Sequence, residues 1–249
     1  MIHIKSKQEI EQIKTACHVV GKILRRLKEY LHPGITTEEL DQQAQRLLVQ
    51  LGAVSAFKGY KGYPANICTS VNEQVVHGIP GKRQLQKGDL ASIDVGAKLN
   101  GFFGDAAWTF PVGEVSPQAL KLLAVAEQAL RIGIDQAKPG NHLSDISYAI
   151  QTYVESQGFS VVRKFVGHGI GLEMHEDPEI PNFGFPGRGP QLQAGMTLAI
   201  EPMVNQGSGD VEILDDQWTA VTKDRRLSAH FEHTICISDT QPEVLTAWE

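Results

Sequence analysis

The sequence has little cysteine. Cys17, Cys68 and Cys236 are its only three, an odd number with no CxxC spacing. That pattern excludes a disulfide framework and a thiolate zinc site, and points to a reducing compartment. Basic runs are also missing. Arg25-Arg26 and Arg225-Arg226 are isolated pairs in a chain of formal net charge −6, so no electrostatic footprint for nucleic acid is present. No segment is long and apolar enough to span a bilayer, and the opening MIHIKSKQEI lacks an apolar core of signal-peptide length. A cytoplasmic protein without a membrane partner is therefore expected. Linkers, low-complexity tracts and composition breaks are absent too. At 249 residues, 41% of them hydrophobic, the chain is long enough to bury a core of its own. One domain over 1–249 is expected.

Four helices can be read from what is present. Ser6 and Glu9 have capping-box spacing ahead of Ile10, Ile13, Cys17, Val20, Leu24, Leu27 and Leu31, which recur near every 3.6 residues. Thr36 and Glu39 repeat the spacing at the start of a second helix that stops at Gly52. Ser116-Pro117 opens a third, running to about Gln136, and a fourth covers about Ser144 to Gln157 before Gly158. The rest alternates and is rich in β-branched residues and glycine, as strands and turns are. The helices also repeat. HPGITTEELDQQAQRLLVQLG matches KPGNHLSDISYAIQTYVESQG at a constant offset: Pro33 with Pro139, Gly34 with Gly140, Leu40 with Ile146, Gly52 with Gly158. Two similar halves would place a site at the seam between them.

Acidic residues in apolar strands are the first chemical signal. Asn100-Gly101 is a strong hairpin turn within SIDVGAKLNGFFGDAAWTF. With those two residues as the loop, Leu99 pairs with Phe102, Gly96 with Asp105, and Asp94 with Ala107. Asp94 and Asp105 then share one face as diagonal neighbours roughly 7–8 Å apart at Cα, close enough to reach one cation. Glu201 in MTLAIEPMV and Glu232 in AHFEHTICI are equally out of place, because an unpaired glutamate inside such a run is rare.

Histidines in glycine-rich bends are the second signal. FVGHGIGLEMHEDP carries His168 and His175, and VVHGIPG repeats the His-Gly-Ile triplet around His77. Glycine there lets the backbone bend sharply or approach a ligand closely. Two aspartates, one histidine and two glutamates form a set that could hold two divalent ions a few ångströms apart. The excess of oxygen favours manganese, ferrous iron or cobalt over a thiolate-type zinc centre.

The series His77, Asp94, Asp105, His168, Glu201 and Glu232, embedded in VVHGIP, IDVG, GD, GHGIG, AIEPM and FEHTI, resembles the type I methionine aminopeptidases among the pita-bread metallopeptidases, from Ile10 to about Ser238. The resemblance implies an α+β fold of two pseudo-symmetric halves, with curved antiparallel strands around the site and helices outside. It implies that Asp94 chelates one metal, that Asp105 and Glu232 bridge two, and that His168 and Glu201 complete the other. Hydroxide generated there would attack the first peptide carbonyl. Glu201 would shuttle the proton, while His77 and His175 hold substrate and developing charge. Cobalt, manganese, iron and zinc all stay open as the metal. The methionine pocket maps to Tyr60, Tyr63, Cys68, Met174 and Trp218. Asn72 and Ser228 match positions where some members bind a monovalent cation. The implied substrates are nascent polypeptide N-termini, met at the ribosome by a monomer.

Two departures from the family pattern stand out. Many members carry glutamine where this chain has His230, two residues before the last ligand, and phenylalanine where it has Met174. No zinc-finger extension precedes the helices, so the docking arm of some eukaryotic members is not expected. Two rival readings remain: an X-Pro aminopeptidase or dipeptidase of the same fold, whose members carry a large extra N-terminal domain, and a non-catalytic pita-bread binding protein, which would be expected to have lost ligands.

Overall fold

The structure is a computed structural model that describes residues 1–248, so the final residue of the expected domain lies outside the described residues. Helix α1 spans Lys7–Tyr30 and α2 Thr37–Gln50. Both begin with the expected capping boxes. Ser6 and Thr36 each accept from the backbone N–H three residues on, and Glu9 and Glu39 each reach back to the cap N–H. Helix α3 spans Pro117–Gln136 behind a Ser116 cap. Helix α4 covers Leu143–Ser156, one residue earlier at each end than the sequence suggests. The shift follows from Asp145, whose carboxylate accepts the His142 N–H at 2.7 Å and makes residue 142 the cap.

The internal repeat is visible in these bounds. Tyr30 and Gln136, Thr37 and Leu143, Gln50 and Ser156, and Val54 and Ser160 each begin or end equivalent elements, 106 residues apart. Each half has its own apolar core. The faces of α1 and α2 pack on the strands of the first half through Val20, Leu24, Leu27, Leu40, Ile93 and Val95. Those of α3 and α4 pack on the second through Leu122, Leu130, Ile146, Ile150, Leu198 and Ile235. Trp108 touches both cores.

Among the described residues the strands lie in four antiparallel sheets. In the first half Leu90–Leu99 is central, flanked by Cys68–Val71 and Phe102–Pro111. The hairpin register is the expected one: Leu99 faces Phe102, Gly96 faces Asp105, and Asp94 faces Ala107. Asn100 and Gly101 both take positive φ, 51° and 88°, as a two-residue hairpin turn requires. In the second half a five-stranded sheet holds Gly167–Gly169, Thr197–Ile200 and His233–Ile237 side by side.

Side-chain hydroxyls join the two halves. Thr234 Oγ1 donates to the Asp105 carbonyl at 2.7 Å and accepts the Asp105 N–H at 3.2 Å. Thr109 Oγ1 treats His230 the same way, at 2.8 and 2.9 Å. Between them the Glu232 N–H donates to the Ala107 carbonyl at 2.8 Å. The strand carrying Asp105 is thereby stitched to the segment carrying Glu232. Replacing Thr234 by isosteric valine leaves a buried carbonyl and N–H of Asp105 without that partner. The expected cost is about 1–3 kcal/mol, read as a lower urea midpoint for the chelator-treated protein. An unchanged midpoint would show that the stitch contributes nothing.

Candidate active site

Every residue expected to hold divalent metal or substrate lines one cavity of about 190 Å³ at the seam. Asp94, Asp105, His168, Glu201 and Glu232 are brought together with His77 and His175, and with Tyr60, Tyr63, Cys68, Met174 and Trp218. Phe57 and Lys61 line it too and carry no motif in the sequence. Phe57 could have been inferred only from Gly96, where a Cβ would lie 2.5 Å from its ring. Lys61 sits in left-handed backbone at φ 47° between Gly59 and Gly62, which no local pattern announces.

The floor is a cluster of acids and imidazoles. Asp105, His168 and Glu232 offer ligand atoms that all lie within 4.8 Å of one another. His168 Nε2 is 4.0 Å from Asp105 Oδ2 and 3.7 Å from Glu201 Oε1. Its Nδ1 is 2.9 Å from the Gly169 carbonyl, to which the ring N–H donates, so Nε2 is left with its lone pair facing the acids. Asp94 enters from the neighbouring strand, one diagonal away from Asp105 and opposite Cys68. Asp94 Oδ1, Asp105 Oδ1 and Glu232 Oε1 are buried without a hydrogen-bond partner.

The electrostatics show what these groups lack. Burial pushes the carboxyls of Asp94 and Glu201 up to about 7. It drives those of Asp105 and Glu232 well above the usual range, with Glu232 acting on Asp105 and Glu201 on Glu232 as like charges. Among the described residues the ion pairs of Asp105, Glu201 and Glu232 are with imidazoles only, and Asp94 has none. Four carboxylates in one low-dielectric space without a lysine or arginine partner are strongly unfavourable unless a cation joins them. The orphaned oxygens and the donor spacing fit divalent metal ions.

The walls are formed differently. Tyr63 places its hydroxyl 3.1 and 3.0 Å from the Ile67 and Gly78 carbonyls and turns its ring edge to Trp218. Burial, then the charge of Asp94, raises the Cys68 thiol well above its ordinary value, so it presents a neutral sulfur. Met174 is buried beside Ile170 and Phe103, in a cluster that draws on both halves. His77 packs edge-on to Phe165 and Trp218, and burial lowers its pKa to about 4. His175 is exposed at the edge of the cavity lining. Desolvation, then His168 and Lys61, lower its pKa to about 3. Its ring stacks on Tyr60 at 5.1 Å and meets His168 at 4.2 Å. Glu176 fixes that loop by accepting the Leu172 and Glu173 N–H groups while paired with buried Lys5.

The recurring His-Gly pairs have a steric cause. A Cβ at Gly78 would lie 2.2 Å from the Thr69 carbonyl oxygen, and one at Gly169 2.2 Å from that of Asp177. Only glycine lets these strands run close enough to aim His77 and His168 inward. Asn72 and Ser228 lie off this cavity. The Asn72 carbonyl accepts the Ser228 N–H at 2.8 Å, and its side chain bonds to Asp89 and Leu90.

A pH dependence follows. The folded-state pKa values of Asp94 and Glu201 lie above their unfolded values, so the folded protein holds these protons more tightly. Their stabilising contribution is present at low pH and lost as pH rises through about 7. His77, His175, His230 and His233, lowered by burial to about 3–4, titrate below this window. The chelator-treated protein should therefore lose thermal stability from about pH 6.5 to about pH 8, and a divalent cation should stabilise it more at the upper end. Equal stabilisation at both pH values would contradict the proton-linked metal site.

Comparison with known proteins agrees with this geometry. The model of metallopeptidase family M24 matches residues 11–239. Methionine aminopeptidase 1 of Bacillus subtilis is 54% identical over 246 residues, covering 99% of both chains. The methionine aminopeptidase of Clostridium perfringens is 55% identical over the same length and share. The crystal structure of methionine aminopeptidase from Thermotoga maritima superposes with a TM-score of 0.98 at 47% identity, covering 99% of this chain and 100% of that one. These matches confirm the pita-bread fold, and with it divalent-metal binding: the chain belongs to metallopeptidase family M24, among its methionine aminopeptidases.

Proposed function

We propose that the chain removes the initiator methionine from nascent polypeptides whose second residue is small, acting as one catalytic domain and as a monomer. The carrying observation is the cavity, in which an acid and imidazole floor meets a wall of thiol, thioether and aromatic groups.

Asp94, Asp105, His168, Glu201 and Glu232 would hold two divalent cations, with Asp105 and Glu232 shared between them. Their single imidazole among many oxygens suits manganese, ferrous iron or cobalt, with zinc also accommodated. Bound there, the cations would supply Lewis acidity and bring the pKa of a water into the neutral range. The chain's own groups do the rest. Glu201 carries a proton on its carboxylate from the attacking water to the leaving nitrogen. His77 and His175 are neutral at working pH, so each keeps one ring N–H to donate to the carbonyl oxygen as negative charge develops. Tyr60, Tyr63, Cys68, Met174 and Trp218 form a slot for an unbranched thioether, which gains from soft sulfur and aromatic contact. Asp94 receives the free α-amine. The substrates of this reading are nascent N-termini leaving the ribosome.

Alanine at Asp105 should remove metal and hydrolysis together while leaving the fold, as judged by metal analysis, a peptide assay and circular dichroism. Near-normal turnover would end the dinuclear reading. His77→Ala and His175→Ala should instead keep metal and lose about 100- to 1000-fold in rate. Metal loss in either would make that histidine a ligand. A series Met-Xaa-Ser-Met should be cleaved only for small Xaa. Norleucine in place of methionine should be slower by roughly 10- to 200-fold, and leucine slower still. Faster release from Xaa-Pro peptides lacking methionine would favour the proline-specific rival, and cleavage of formyl-Met peptides would refute the need for a free amine.

A further inference from the structure

One polar group beside the centre has no use in the reading above. The His230 side chain is 2% exposed, and its Nε2 is buried without a hydrogen-bond partner. That nitrogen lies 3.6 Å from Glu201 Oε2 and 4.0 Å from Glu232 Oε2. Both separations are too long for hydrogen bonds. They suit two donors of one ion. Groups held about 2.0–2.2 Å from a shared cation stand about 3 Å apart when adjacent and somewhat over 4 Å apart when opposite. His168, a family-pattern ligand, has the same relation to its own acids, at 3.7 and 4.0 Å. Glu201 therefore presents Oε1 to one imidazole and Oε2 to the other. The His230 backbone is clamped at both its N–H and its carbonyl by Thr109, so the ring is carried by a fixed strand and not by a mobile loop.

We propose that His230 is a sixth protein ligand of the centre, giving its Nε2 to one of its divalent cations. The proposal rests on the five-residue metal centre and adds a second nitrogen to it. Nitrogen donors raise affinity for cobalt and zinc more than for manganese, so the metal preference of this chain should differ from that of a centre with one imidazole.

The test uses the full chain loaded with cobalt(II). Proton NMR should show two exchangeable, strongly shifted imidazole N–H signals in the wild type, and one in His230→Gln and in His230→Asn. In competition titrations the His230→Gln protein should lose about 10- to 100-fold in cobalt affinity, with a much smaller loss for manganese. The wild-type count needs no variant to fold. One shifted signal in the wild type would overturn the sixth ligand while leaving the centre intact, as would equal losses for both metals. Failure to bind cobalt at all would bring down the five-residue centre itself.

Discussion

Uncompensated negative charge at the seam is the constraint on which the rest of the structure turns. Asp94, Asp105, Glu201 and Glu232 converge in one low-dielectric space, and among the described residues none is paired with a lysine or arginine. Burial first, and like charges on three of them, raise all four carboxyls. A protein fold tolerates that only if protons or cations neutralise the cluster. Protons suffice at low pH. Near neutrality a divalent ion is the better solution, because it also satisfies the orphaned oxygens that protons leave unpaired. Affinity for metal is thus stored as electrostatic strain in the folded apoprotein, and the two apolar cores hold the acids in place against it.

The duplicated architecture explains how such a cluster is assembled. Each half brings two helices to its own core, and each contributes acids from strands that end up adjacent. Neither half holds the set alone: Asp94 and Asp105 come from the first, and His168, Glu201 and Glu232 from the second. The seam is stitched by threonine hydroxyls on the ligand-bearing strands themselves, so the bonds that join the halves also fix the spacing of Asp105 and Glu232.

Much of this was legible in the sequence because it rests on local rules. Capping boxes at Ser6 and Thr36 start helices wherever they occur. The Asn100-Gly101 turn fixes the hairpin register, and the register alone puts Asp94 and Asp105 on one face. Acids in apolar strands and glycines beside histidines are anomalies against composition, so they stand out without knowledge of the fold. What was not legible depends on tertiary approach. Phe57 reaches the cavity because Gly96 leaves room for it across a strand pair. Lys61 reaches the mouth through an unusual backbone turn. The sequence marks His230 as unusual, yet its unpartnered nitrogen exists only once Glu201 and Glu232 are folded around it.

The low dielectric that strains the acids also sets the state of the other cavity groups. It lowers His77 to about 4 and raises the Cys68 thiol, so at neutral pH the imidazole keeps a single ring N–H and the sulfur stays uncharged. A charged imidazole would compete with a cation for the carboxylates, and a thiolate would compete with the carboxylates for the cation. Their neutrality leaves the acids as the principal anionic partners of any metal and leaves the wall apolar enough for a thioether. Opening the cavity to water would relax all of these shifts together, lowering the acids and raising the histidine. Metal affinity and the donor state of His77 are therefore consequences of one property, the burial of these groups at the seam between the halves.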